Sequence, residues 1–145
     1  MGARVNRRHD WPERLAAHVR AAEGRSFEWG SFDCCTFACD AVATMTGVDP
    51  MADLRGRYAT AREAIVALRN FAGGGLMETA ERIAADLAAP EIAPALAQRG
   101  DVVLASVGDM PALGVIGLDG RPVFAGHVGL ARLTVRQCLK AWKVG

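Results

Sequence analysis

The sequence predicts an α+β domain, and two observations carry that expectation. Its first half repeats apolar residues at helical spacing between residues that start and stop helices; its second half breaks into short β-branched runs separated by glycine turns. Helices first and an antiparallel meander second is the pattern of an α+β architecture. The 145 residues suit one domain with one core, read as 1–145, with residues 1–9 as a loose N-terminal arm and Arg7-Arg8 as solvated.

Taken in order, Asp10 stands as N-cap before Trp11-Pro12-Glu13, and Leu15, His18, Val19 and Ala22 follow at helical spacing until Gly24. A connector from Arg25 to Phe32 contains Trp29-Gly30. From Asp33 to Met45 the apolar residues run almost all round, as in a buried central helix, and Gly47 stops it. Asp49-Pro50 opens a turn and a short helix. Thr60 caps an amphipathic helix through Ile65, Leu68 and Phe71, and Gly73-Gly74-Gly75 separates it from a last helix, Leu76 to Leu87. The strands begin with DVVLAS after Gly100, continue with ALGVIG, turn at Asp119-Gly120, and return as RPVFAG and HVGLARL. The tail from Thr134 reads as a short helix or turn and a final strand around Trp142.

Composition excludes several classes. Seventeen Lys+Arg against 16 Asp+Glu leave a net charge of +1, too little for binding driven by phosphate neutralisation, so no nucleic-acid partner is expected. No apolar run approaches the ~18 residues of a membrane span. The opening MGARVNRRHDWPERL lacks the apolar stretch of a secretion signal, and the whole reads as a soluble protein. Four cysteines (Cys34, Cys35, Cys39, Cys138) are clustered in a way that suits neither disulfides nor the spaced pairs of a zinc site; Cys34, Cys39 and His127 are the one conceivable ligand set, and no metal or cofactor is expected. Gly73 to Gly75 lacks the Lys-Ser/Thr of a phosphate loop.

The sharpest local feature is W-G-S-F-D-C-C-T-F-A, residues 29 to 38. Asp33 as N-cap makes Cys34 the first residue of the central helix, where unpaired N–H groups and the helix dipole favour thiolate over thiol. Cys34 is then a candidate nucleophile, with its own N–H as an oxyanion donor and Asp33 as cap and thiolate support. The alternative is a small residue packed against Trp29. Trp29, Arg55 and Tyr58 are candidates to line a groove, with Arg57 beside them, since arginine forks suit carboxylates. The alternative for the arginines is to anchor a surface loop.

These residues resemble the NlpC/p-sixty superfamily of papain-like cell-wall cysteine peptidases, whose nucleophile follows Asp at a helix start. Within it, the chain looks most like small proteins encoded near the tail genes of tailed phages and gene transfer agents. The likeness rests on an aromatic-Trp-Gly, D-C-C, T-G-x-D-P, L-R-G-x-Y and Q-R-G-D-V-V pattern, here at Phe27 to Trp29, Asp33 to Cys35, Thr46 to Pro50, Leu54 to Tyr58 and Gln98 to Val103. It implies a papain-like NlpC-type fold, with the central helix packed on a small antiparallel sheet. It also implies a cofactor-free peptidoglycan endopeptidase acting on stem peptides, made in the bacterial cytoplasm and carried at the virion tail tip. The alternative is a catalytically inactive structural part of the tail tip, docked on hub or baseplate proteins.

The resemblance also requires a histidine, and here the sequence departs. Counted from Gly100, the superfamily's histidine position falls on Ala112, which cannot accept a proton. The literal H-V-G-L string occurs one strand later, at His127. Either the strand order is shifted and His127 is the catalytic base for Cys34, or His127 sits at a surface turn without a catalytic role.

Overall fold

Four helices precede the sheet: α1 (Trp11–Ala22), α2 (Cys34–Thr46), α3 (Ala61–Ala72) and α4 (Leu76–Asp86). A computed structural model of the chain describes residues 4–145. The caps explain the helix limits. Asp33 accepts the Thr36 N–H while the Thr36 hydroxyl accepts the Asp33 N–H, a capping box worth roughly 1 kcal/mol, and Gly47 closes α2 in the left-handed conformation at φ 83°. Thr60 caps α3 through the Glu63 N–H. Asp10 precedes α1 as expected but caps nothing with its side chain; its carboxylate takes the guanidinium of Arg14.

The sheet has six strands: β1 (Glu91–Ile92), β2 (Val102–Val107), β3 (Met110–Ile116), β4 (Pro122–Ala125), β5 (Leu130–Arg132) and β6 (Cys138–Trp142). Their order is β1-β6-β2-β3-β4-β5, and every pairing is antiparallel. The run from β2 to β5 is the expected meander. The last strand returns beside β2, and the two-residue β1, which the sequence did not announce, pairs with it at the edge.

Alternation along the strands divides the core. Leu104 and Leu113 join Ala38, Cys39 and Val42 of α2 in one cluster, and Val115 and Val123 meet Phe37, Ala41 and Met45 in a second. Val103, Ala105, Ala112 and Phe124 form a third with Cys138 and Ala141. The central position expected of α2 follows, with eight of its residues buried. In α3 only Ala64 is buried.

Two expectations are corrected. The short helix after Pro50 is a series of turns, fixed where Asp49 accepts the Met51 N–H and takes Arg55 in an ion pair. The N-terminal arm is not loose over its described part. Val5 is buried, the Arg8 N–H donates to the Met45 carbonyl, and Arg7 reaches the buried Asp101 at 2.9 Å as well as the carbonyls of Arg99 and Val144. Residues 1–3 lie outside the described region. No helix among the described residues is long and apolar enough to cross a membrane.

Candidate functional site

Three separated segments of the sequence pattern converge on Asp33, which is almost fully buried. Its Oδ1 accepts from Thr36, and its Oδ2 accepts both the Gly30 N–H and the Tyr58 hydroxyl, each at 2.9 Å. Gly30 has to be glycine: its φ is +84°, and a Cβ there would meet the Tyr58 carbonyl oxygen at 2.3 Å. Trp-Gly, Asp-Cys and the Tyr of L-R-G-x-Y are therefore parts of one polar joint. Burial, and after it the nearby Cys35 and Asp33, pushes the Tyr58 hydroxyl well above its ordinary value, so it stays a donor.

The other motif residues have similar work. Asp49 of T-G-x-D-P takes Arg55 of L-R-G-x-Y, which also reaches Asp40 at 2.7 Å. Hydrogen bonds to Asp49, outweighing some burial, hold the Arg55 guanidinium above its ordinary value. Arg55 thus anchors a loop, the alternative reading for the arginines, and does not share the cavity that Trp29 and Tyr58 line. In Q-R-G-D-V-V, Asp101 accepts the Gln98 and Val144 N–H groups and pairs with Arg7.

Cys34 is held differently, by packing and by backbone N–H groups rather than by another polar side chain. It lies, half-buried, in the lining of a cavity of about 490 Å³ between the start of α2, α3, the start of α4 and the first residues of β3. Trp29 and Tyr58 share that lining with Leu68, Arg69, Met110 and Pro111. Burial pushes the Cys34 thiol up to about 12; N–H groups of Leu113 and Cys35 act against this, while the charges of Cys35 and Asp33 reinforce it. The helix-start effect is thus present in the Cys35 N–H, but desolvation outweighs it. Asp33 caps the helix, as expected, but as an anion it opposes a thiolate next door, so the support expected of it is absent.

The backbone beside the sulfur belongs to Pro111, Ala112 and Leu113, none of which can accept a proton. Ala112, at the counted histidine position, sides with Val103 and Ala105. His127 is not brought to Cys34. It is exposed in the β4–β5 turn, with its carbonyl accepting the Phe27 N–H and its ring 6.1 Å from that of Phe27. Phe27 in turn meets Trp29 edge-on at 4.9 Å; Trp29 lines the cavity and His127 does not. His18 donates from Nε2 to the Phe37 carbonyl and stacks on that ring; burial lowers its pKa, and it is a neutral helix-face residue. His9 is exposed at the turn before α1.

The remaining thiols are core. Cys35 contacts Cys39 one turn on, and that contact and burial raise its pKa; Cys138 is raised by burial. All four cysteines are free, and the described residues contain no group of three side chains suited to a metal, so Cys34, Cys39 and His127 form no such set. Trp29 and Tyr58 line a groove as the sequence led one to expect, but the rest of its wall was missed, because Leu68, Arg69, Met110 and Pro111 carry no motif; the faint signal was an α3 rich in apolar residues beside a glycine triplet.

Against known families, residues 6–144 match the family model described as Domain of unknown function (DUF6950). No curated protein matches the chain.

Proposed function

The chain belongs to the DUF6950 family, and on that premise we propose that it is a catalytically inactive relative of the NlpC-type peptidases, kept as a docking component of a phage or gene-transfer-agent tail tip. The observation that carries this reading is the state of Cys34. Its sulfur stays protonated at neutral pH, beside a strand that offers no base. An α2 that opens at a cysteine and packs on an antiparallel sheet agrees with the papain-like layout, and the motif pattern supports the tail-associated subfamily. Hub or baseplate proteins are the partners proposed with it, and the virion tail tip is the place.

The polar motif residues support the inactive reading, since Asp33, Tyr58, Asp49, Arg55 and Asp101 are engaged in hydrogen bonds and ion pairs within the fold. The deciding experiment incubates the reduced protein with purified peptidoglycan and counts new amino termini. The expected result is none, with wild type and Cys34→Ala alike. Release by the wild type that Cys34→Ala abolishes would reinstate the endopeptidase. Particle composition tests the location: the reading expects stoichiometric copies in purified particles, and particles intact and infectious without the protein would contradict it.

A further inference from the structure

A peptidase without a base still has a cleft, and this cleft has a particular chemistry. Its volume falls within the roughly 300–1,000 Å³ of small-molecule and side-chain pockets. Large apolar residues on its wall stay open to solvent: Trp29 is 37% exposed, Ile65 59% and Met110 67%. Grouped around one concavity, they differ from the single apolar residues scattered over any surface. The helix α3, which supplies a third of the lining residues, buries only Ala64 of its twelve residues.

The charged groups at the cavity distinguish one kind of occupant. Asp33 is consumed by three internal bonds. Arg69, in the cavity lining, has no ion pair or side-chain hydrogen bond among the described residues; neither has Arg62, seven residues earlier on the same helix, which lines the neighbouring cavity. Glu63, their acidic neighbour, is held by the Ala59 N–H. Two helical turns place Arg62 and Arg69 on one stripe with Ile65 between them, about 10 Å apart along the axis. An extended peptide turns alternate side chains to one face. Carboxylates four residues apart, about 13 Å, therefore face the same way with an apolar side chain midway between them, a span that two long arginine side chains can meet.

We propose that the cavity over Cys34 is a docking socket for a partner protein's extended segment, in which a bulky apolar side chain enters the cavity and carboxylates two residues to either side of it meet Arg62 and Arg69. This rests on the inactive reading of the same site and names the chemistry of its partner. The apolar side chain gains burial against Leu68, Ile65 and Trp29, and the two ion pairs set direction and exclude basic segments.

The test uses the full chain and a fluorescein-labelled peptide, Ser-Glu-Ser-Leu-Ser-Glu-Ser, capped at both ends. Its counterparts carry Lys for both Glu, or Ala for Leu. Anisotropy reads binding, and amide and indole NMR shifts locate it. The acidic leucine peptide is expected to bind saturably and shift Trp29, Leu68 and Met110, while both counterparts bind about tenfold more weakly or not at all. Arg69→Glu, on an exposed position, should weaken the acidic peptide and favour the lysine one. Ala61→Trp, also exposed, should block both. Equal binding of the lysine peptide, shifts away from the cavity, or no binding by the acidic peptide would overturn the proposal. So would sedimentation showing that the face is covered by a second copy. Cleavage of peptidoglycan would instead remove the inactive reading beneath it, so the two failures are distinguishable.

Discussion

Asp33 and Cys34 are neighbours in the chain and opposites in circumstance. Every oxygen bond of the Asp33 side chain is made inside the protein, to Thr36, Gly30 and Tyr58. Cys34, one residue on, lines a cavity whose apolar wall has no partner within the chain. A sequence pattern read as one catalytic signature therefore divides into a polar joint that ties the backbone together and a thiol packed between the core and an open cavity. Retention of the aspartate needs no chemistry to explain it, because the aspartate ties together three stretches of backbone.

The largest effect expected from this contrast is that of Asp33→Ala. It leaves two N–H groups and a buried hydroxyl without an acceptor and should cost about 3–5 kcal/mol in urea unfolding. Cys34→Ala should cost under about 1 kcal/mol, since a half-buried thiol without a strong bond is removed. A Cys34 variant as destabilised as the Asp33 variant would erase the distinction. Next comes Arg7→Ala, which strands the buried Asp101 carboxylate and should cost about 2–4 kcal/mol; a change within error would mean that the arm is loose after all. Tyr58→Phe removes one of the bonds at Asp33 and should cost about 1–2 kcal/mol, with the remaining cap intact.

A separate effect, confined to alkaline solution, is one of pH. The folded state holds the Cys34 thiol up at about 12 from an ordinary value of 9.0. A raised acid favours the fold while it stays protonated, so this contribution is complete below pH 9 and lost as pH climbs toward 12. Unfolding midpoints of wild type should therefore fall more steeply over that alkaline window than those of Cys34→Ala. Parallel curves would mean that the thiol is not held neutral by its surroundings.

What could be read from the sequence was what local chemistry decides. Asp33 and Gly47 bound α2 because a cap and a left-handed glycine act within a few residues. The meander from β2 to β5 followed from glycine turns and β-branched runs. The helix expected after Pro50 failed because Arg55 pairs with Asp40 and Asp49 and holds the chain in turns. The arm was misread because the partner of Arg7 is 94 residues away, and β1 because a two-residue strand exists only through its pairing with β6. The site shows the same division. Cys34 at a helix start was legible, and the absence of a base at Ala112 was legible in the strand count. Its raised pKa was not, since burial by α3 and β3 is tertiary and outweighs the helix end.

The most direct test is the rate of Cys34 alkylation by iodoacetamide, resolved by mass spectrometry across pH 5 to about 12. A thiol held protonated by its surroundings predicts a rate that keeps rising through pH 9 with no plateau near neutrality. A plateau below pH 7, lost when His127 is replaced by alanine, would show an activated thiolate paired with a base and would contradict the account.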